Sequence, residues 1–251
     1  MAVEPVPGEP AAVADLADER ALVIADYHAG IEVGLRAEGV ELASRAEKRR
    51  DHVCSLVDGT GVDRVVVLGD LGNGIGASRR DERREIRDFL WFLTDRVPVT
   101  LVKGNHDGEI EDLVADAGFD DVAVTPGDGH RAGAVGFAHG HTWPRPDVLA
   151  ADVVCVGHEH PIVRLEDEVG GARTERAWLR GRIDPGPFES HYGTDLELDG
   201  ELVVFPAFND LCGGTWINVE AEFLSPFLPA GLTGGEAYLL DGTRLGPYEQ
   251  V

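Results

Sequence analysis

Apolar residues recur along the chain in two rhythms. Five short apolar runs read as strands buried on both faces: Ala21 to Ala25, Arg64 to Leu68, Val99 to Lys103, Ala134 to Ala138 and Asp152 to Val156. Helical spacing fills the gaps between the first three. Ile31 to Val57 reads mainly as one helix, with Ala46, Val53, Leu56 and Val57 on its apolar side. Arg45, Lys48, Arg49 and Asp51 lie on the other side, and Gly59 and Gly61 end it. A second helix is predicted over 80–94, apolar through Ile86, Phe89, Leu90, Phe92 and Leu93, and a short one over 109–117. Strand and helix in strict alternation predict a parallel, layered α/β arrangement.

Beyond residue 120 the rhythm changes. Strands are expected at 121–124, 134–138 and 152–156, with only 145–151 helical among them. Further strands are expected at 162–166, 175–180, 201–205, 215–219 and 236–240. Residues 1–20 are weakly patterned and predict a short strand and a turn. The stretch 181–200, with its Asp-Pro-Gly-Pro, Gly193 and Asp199-Gly200, reads as an exposed loop insertion. No repeat or linker divides the chain, so 1–251 is read as a single domain with its core over 20–228.

Composition narrows the classes. No apolar run reaches the ~18 residues of a membrane span. Met1 to Asp18 holds Glu4, Glu9 and Asp15 and no basic run before an apolar stretch, unlike a secretory signal. A cytoplasmic chain without membrane contact is expected. Cys54, Cys155 and Cys212 lie far apart and form no CxxC pair, so neither a disulfide framework nor a thiolate metal site is expected. Cys54 and Cys155 are read as buried thiols.

The charge is unusual: 46 Asp and Glu against 22 Lys and Arg give a net −24, and Lys48 and Lys103 are the only lysines. Such a composition suits multimolar salt, where charges are screened beyond about 3 Å at 1 M. It argues against a broad basic face for nucleic-acid backbones. Arg79, Arg80, Arg83, Arg84 and Arg87 form a local basic cluster. Of these, Arg83 and Arg87 are candidate substrate contacts, set against the plainer reading of a solvated helix face.

The five apolar runs share an ending. They stop at Asp26-Tyr-His28, Gly69-Asp70, Gly104-Asn105-His106-Asp107, His139-Gly-His141 and Gly157-His158-Glu159-His160. One such pair would be an ordinary cap or turn. Five at successive strand ends, where α/β folds keep their sites, predict a metal centre. Mixed oxygen and nitrogen donors suit manganese, iron or zinc better than calcium. More donors than one ion needs make two ions the economical reading, and paired ions are common machinery for phosphate-ester cleavage.

In order and spacing, these motifs resemble the calcineurin-type metallophosphoesterases across residues 26–160. Val204-Phe-Pro-Ala-Phe-Asn209, followed by Gly213-Gly214, is similar to the archaeal branch of phosphoesterases related to the SbcD nuclease. The resemblance implies a four-layer α/β/β/α sandwich. It implies two divalent ions, manganese first and iron or zinc next, with a hydroxide between them as nucleophile. One ion would take Asp26, His28 and His160, the other Asn105, His139 and His158, and Asp70 would bridge both. His106 would protonate the leaving oxygen or stabilise its charge, with Asp107 holding its ring. His141 is expected to touch substrate or support a ligand, and Asn73 to touch substrate or form a turn. Glu159 is expected to point away from the metals.

The double-strand-break nucleases of this superfamily carry a capping domain and an ATPase-docking segment, neither evident here. The expected activity is therefore hydrolysis of a phosphodiester, with a nucleotide or short single-stranded nucleic acid as substrate. A phosphomonoesterase and a non-catalytic metal-binding scaffold are the alternatives, and a role as a DNA-repair nuclease stays open. Scaffolds of this fold typically lack the His of the Asn-His motif, and His106 is present.

Overall fold

Alternate residues of the first core strands face different layers, and this alternation builds the fold. The computed structural model describes residues 2–74, 80–167, 169–219 and 222–251. Its first sheet takes β1 (Val3–Pro5), β2 (Ala11–Asp15), β3 (Arg20–Ile24), β4 (Arg64–Leu68), β5 (Val99–Val102) and β6 (Val122–Thr125), side by side in chain order. The crossovers from β3 to β6 hold α1 (Ile31–Ala37), α2 (Ala46–Thr60), α3 (Arg80–Thr94) and α4 (Ile110–Ala117). Those four strands are parallel, as helical crossovers require, whereas β1 and β2 pair antiparallel at the edge.

The second sheet comprises β7 (His130–Ala132), β8 (Val135–Ala138), β9 (Val153–Val156), β10 (Ile162–Glu166), β11 (Ala172–Ile183), β12 (Glu201–Val204), β13 (Leu232–Leu239) and β14 (Arg244–Pro247). Its order is β14-β13-β11-β12-β9-β8-β7, with β10 pairing β11. Short helices α5 (Pro146–Leu149) and α6 (Pro185–Tyr192) accompany it.

Between the sheets, Ala21, Val23, Val66 and Leu68 pack with Val135, Phe137, Cys155, Trp178 and Phe205. Leu22, Ile24, Val65 and Val67 pack instead with Val53, Phe89, Leu90 and Leu113 of the helices. Beyond the second sheet, Val154, Val156 and Leu202 pack with Val148, Phe188 and Phe227. The result is the expected α/β/β/α sandwich. Among the described residues no helix is long and apolar enough to cross a membrane.

Four expectations are corrected. The single helix over 31–57 is two: α1 stops at Ala37, Gly39 takes a φ of +92°, and α2 begins at Ala46. Arg49 is not on a solvated face, because Glu32 of α1 and Glu85 of α3 bury it. The stretch 181–200 is not all loop. β11 runs to Ile183, and Asp184 then caps α6 by accepting from the Gly186 N–H at 3.0 Å, with Pro185 in the first turn and Phe188 buried. The expected strand at 215–219 is only an isolated bridge from Trp216 to Ile162.

Candidate metal centre

The loops that follow β3, β4, β5, β8 and β9 meet at one end of the sandwich. Their backbone is tightly wound. Asp26, His28, Asp70, His158 and His160 have φ values of 56, 48, 47, 70 and 46°. Among the described residues only one other non-glycine, Ala17, has a positive φ. This left-handed region costs a side-chain-bearing residue roughly 1–3 kcal/mol and persists where the surroundings enforce it. Two glycines make room for the ligands. A Cβ on Gly69 would collide with the His139 ring, and one on Gly104 with Asp70.

Asp70 stands in the middle. Its Oδ2 lies 3.4 Å from His139 Nε2, 3.8 Å from His106 Nε2 and 3.9 Å from His28 Nε2. Its Oδ1 accepts from the His106 backbone N–H at 2.9 Å. Asp26 sits beside His160, Oδ1 to Nε2 at 3.2 Å, and accepts from the His158 backbone N–H. Asn105 Oδ1 is 3.1 Å from His139 Nε2.

Three rings are oriented by the same device. Backbone carbonyls accept from Nδ1 of His139 (Leu68 O, 2.7 Å), His160 (Gly213 O, 2.9 Å) and His106 (Asn73 O, 2.7 Å). Each Nε2 is thereby turned toward the carboxylates, as a ligand or acid at this centre requires.

The electrostatics are those of buried carboxylates and imidazoles that hold one another's charge. Burial would raise Asp26 and Asp70, but the neighbouring histidines hold both carboxyls below their usual range. Burial would lower His139, yet Asp70 and Asp26 outweigh it and raise the ring to about 9. His160 is raised against burial by Asp26. His28 and His158 are lowered to about 4, chiefly by burial.

The donors fit divalent metal. Ligand atoms of His28, Asp70 and His106 lie within 4.8 Å of one another, as do those of Asp70, His139 and His158, so Asp70 belongs to both groups. His28 also retains a buried Nδ1 without a hydrogen-bond partner.

The structure thus brings together Asp26, His28, Asp70, Asn105, His106, His139, His158 and His160. It does not give Asp107 the expected role. Asp107 accepts from the backbone N–H groups of Gly72 (3.0 Å) and Gly104 (2.8 Å), tying two loops, and the Asn73 carbonyl holds the His106 ring instead. Burial, followed by the nearby Asp70 charge, raises Asp107 to about 6.

The remaining candidates lie around this centre. His141 packs against His139 and His158, with ring centroids 5.2 and 6.2 Å away, and its buried Nδ1 has no partner. Arg83 pairs with Glu109 and Asp116, and Arg87 is exposed on α3, so neither is among the converging residues. Arg79 lies outside the described residues. Glu159 points away as expected, accepting from Thr215, Leu224 and Ser225.

Sequence reasoning missed several supports. Glu82 accepts from the N–H groups of Asn73 and Gly74, both at 3.0 Å, and so fixes the loop that holds His106. Asn209 donates its side-chain N–H to the carbonyls of Tyr27 and His28. Cys212 was expected to stand apart from any metal, yet its sulfur lies within 4.8 Å of ligand nitrogens of His28 and His160. Asn209 and Cys212 fall in or beside a stretch that already drew attention by resemblance, but nothing local says where their side chains go.

Comparison with known proteins agrees with this geometry. No curated protein matches the chain. The crystal structure of Pseudomonas putida nuclease MPE matches at a TM-score of 0.55 and 19% identity, covering 97% of this chain and 100% of that one, which shows a shared fold. Residues 19–162 match the family described as calcineurin-like phosphoesterase and span all five metal-centre loops, from Asp26 to His160. On that match, over more than half its length, the chain belongs to the calcineurin-like phosphoesterases, hydrolases of phosphate esters whose family chemistry depends on metal.

Proposed function

We propose that this protein hydrolyses phosphodiester bonds with two divalent metal ions held at the strand ends. The observation that carries the reading is the placement of Asp70, one buried carboxylate within 4.8 Å of ligand nitrogens of His28 from one half and of His139 and His158 from the other. Asp26, His28 and His160 form one half of the centre, and Asn105, His139 and His158 the other. Manganese, iron and zinc all suit the oxygen and nitrogen donors.

Bound there, divalent ions supply a nucleophile from water near neutral pH and offset charge on the phosphoryl oxygens. The chain's own residues do the rest. Asp70 keeps the two halves in register. His106, held through Nδ1 by Asn73 O, presents Nε2 to the centre, where it donates a proton to the leaving oxygen. His141, with its free buried Nδ1, offers a contact to a substrate oxygen.

A diester is favoured over a monoester because the structurally similar Pseudomonas putida protein is a nuclease. With a net −24, the chain has little basic surface for a long polyanion, so small diesters and short single strands are the preferred class. The test compares diester, monoester, short oligonucleotide and long duplex in the presence of manganese, iron or zinc. Asp70→Ala should lose both ions and all turnover. A variant that keeps two metals per chain, or a wild type that cleaves monoesters alone, would refute the reading.

A further inference from the structure

The loop 209–213 lies against both histidines of one half of the centre. Asn209 Nδ2 donates to Tyr27 O at 2.9 Å and to His28 O at 3.3 Å, and the Cys212 N–H donates to Asn209 O. One residue further, Gly213 O accepts from His160 Nδ1. Gly214 packs so closely on the His160 carbonyl that a Cβ there would collide with it. Cys212 is therefore placed by contacts on both sides of it. Its sulfur and one ring nitrogen from each of His28 and His160 lie within 4.8 Å of one another, a spacing suited to one coordination sphere. His28 is buried, and its Nδ1 lacks a hydrogen-bond partner.

We propose that Cys212 is a ligand in the Asp26–His28–His160 half of the centre, giving that half a thiolate and a preference for zinc or iron(II) over manganese. The inference rests on the two-metal reading above and adds the donor that makes its halves unequal. Soft thiolate selects the softer ions, whereas the Asn105–His139–His158 half keeps only oxygen and nitrogen donors. Forming the sulfur–metal bond releases the thiol proton to solvent, and the cation takes the place of that proton beside Asp26 and Asp70. Cys54 and Cys155 are buried within the packed cores, so Cys212 is the thiol available to the centre.

The experiment titrates cobalt(II) into metal-free protein and follows its absorption. Wild type should show a near-ultraviolet sulfur-to-cobalt charge-transfer band alongside the visible ligand-field bands. Cys212→Ser, and Cys212→Ala as a second variant, should keep the visible bands and lose the near-ultraviolet one. Zinc affinity of the variants should fall at least as far as the about 10–100-fold that follows loss of a supporting partner. Manganese affinity should change much less. Cobalt bound without the near-ultraviolet band in wild type overturns the thiolate assignment and leaves the two-metal reading standing. No cobalt bound at all overturns both. The wild-type spectrum decides even if a variant fails to fold.

Discussion

The Nδ1 of His106 lies 2.7 Å from the backbone carbonyl of Asn73, and this contact joins the loop after β4 to the loop after β5. It fixes the ring so that Nε2 faces the centre. The Asn73 loop is fixed in turn by Glu82 and, through Gly72, by Asp107. His106→Ala should therefore keep its metals and lose about 10²–10⁴-fold in rate on diesters with poor leaving groups. Good leaving groups, which scarcely need a proton, should be cleaved nearly as fast as by wild type. Metal analysis beside kinetics on both substrates checks this, and equal losses on the two would count against an acid role.

Metal uptake should compete with protons. In the metal-free protein His139 is raised to about 9, so it carries a proton at neutral pH that a metal must displace. His28 and His158, lowered to about 4, are already neutral there and add no pH dependence. The sign follows: apparent affinity rises with pH, by roughly tenfold per unit for each proton displaced, and the His139 contribution levels off above its raised value. Chelator competition between pH 6 and 8 measures the slope, and a flat profile would contradict the assigned protonation states.

The buried cluster beneath the site should govern stability. Arg49 meets Glu85, with Nη2 to Oε1 at 2.5 Å, and Glu32, with Nη1 to Oε1 at 3.2 Å. Glu85 also accepts from the N–H of Gly30, two residues past His28. Arg49→Ala would strand two buried carboxylates. Removing one partner of a buried pair costs about 3–5 kcal/mol, so urea unfolding should show a loss of that order. A change under about 1 kcal/mol, the worth of an exposed ion pair, would show that water reaches the cluster.

Salt should strengthen the fold. At a net −24, self-repulsion opposes compaction, and the screening length falls from about 10 Å at 0.1 M to about 3 Å at 1 M. The melting temperature of the metal-free protein should therefore climb between 0.1 and 2 M potassium chloride. A flat or falling curve would refute adaptation of this surface to high salt.

The chain by itself determined the layers and the strand-end donors. Buried parallel strands announce themselves as short apolar runs, and the Asp, Asn and His that follow them are adjacent in sequence to the strands that carry them. Fold and donor positions were legible because both depend on neighbours within a few residues. Tertiary structure alone decided the partners. Asp107 and the Asn73 carbonyl compete for one role from different loops, and the sequence expectation favoured the wrong one. Arg49 looked solvated until Glu32 and Glu85, 17 and 36 residues away, closed over it. Cys212 meets His28 and His160 only because two sheets bring their loops to one end. Such contacts are fixed by packing between elements distant in the chain, and no local spacing records them.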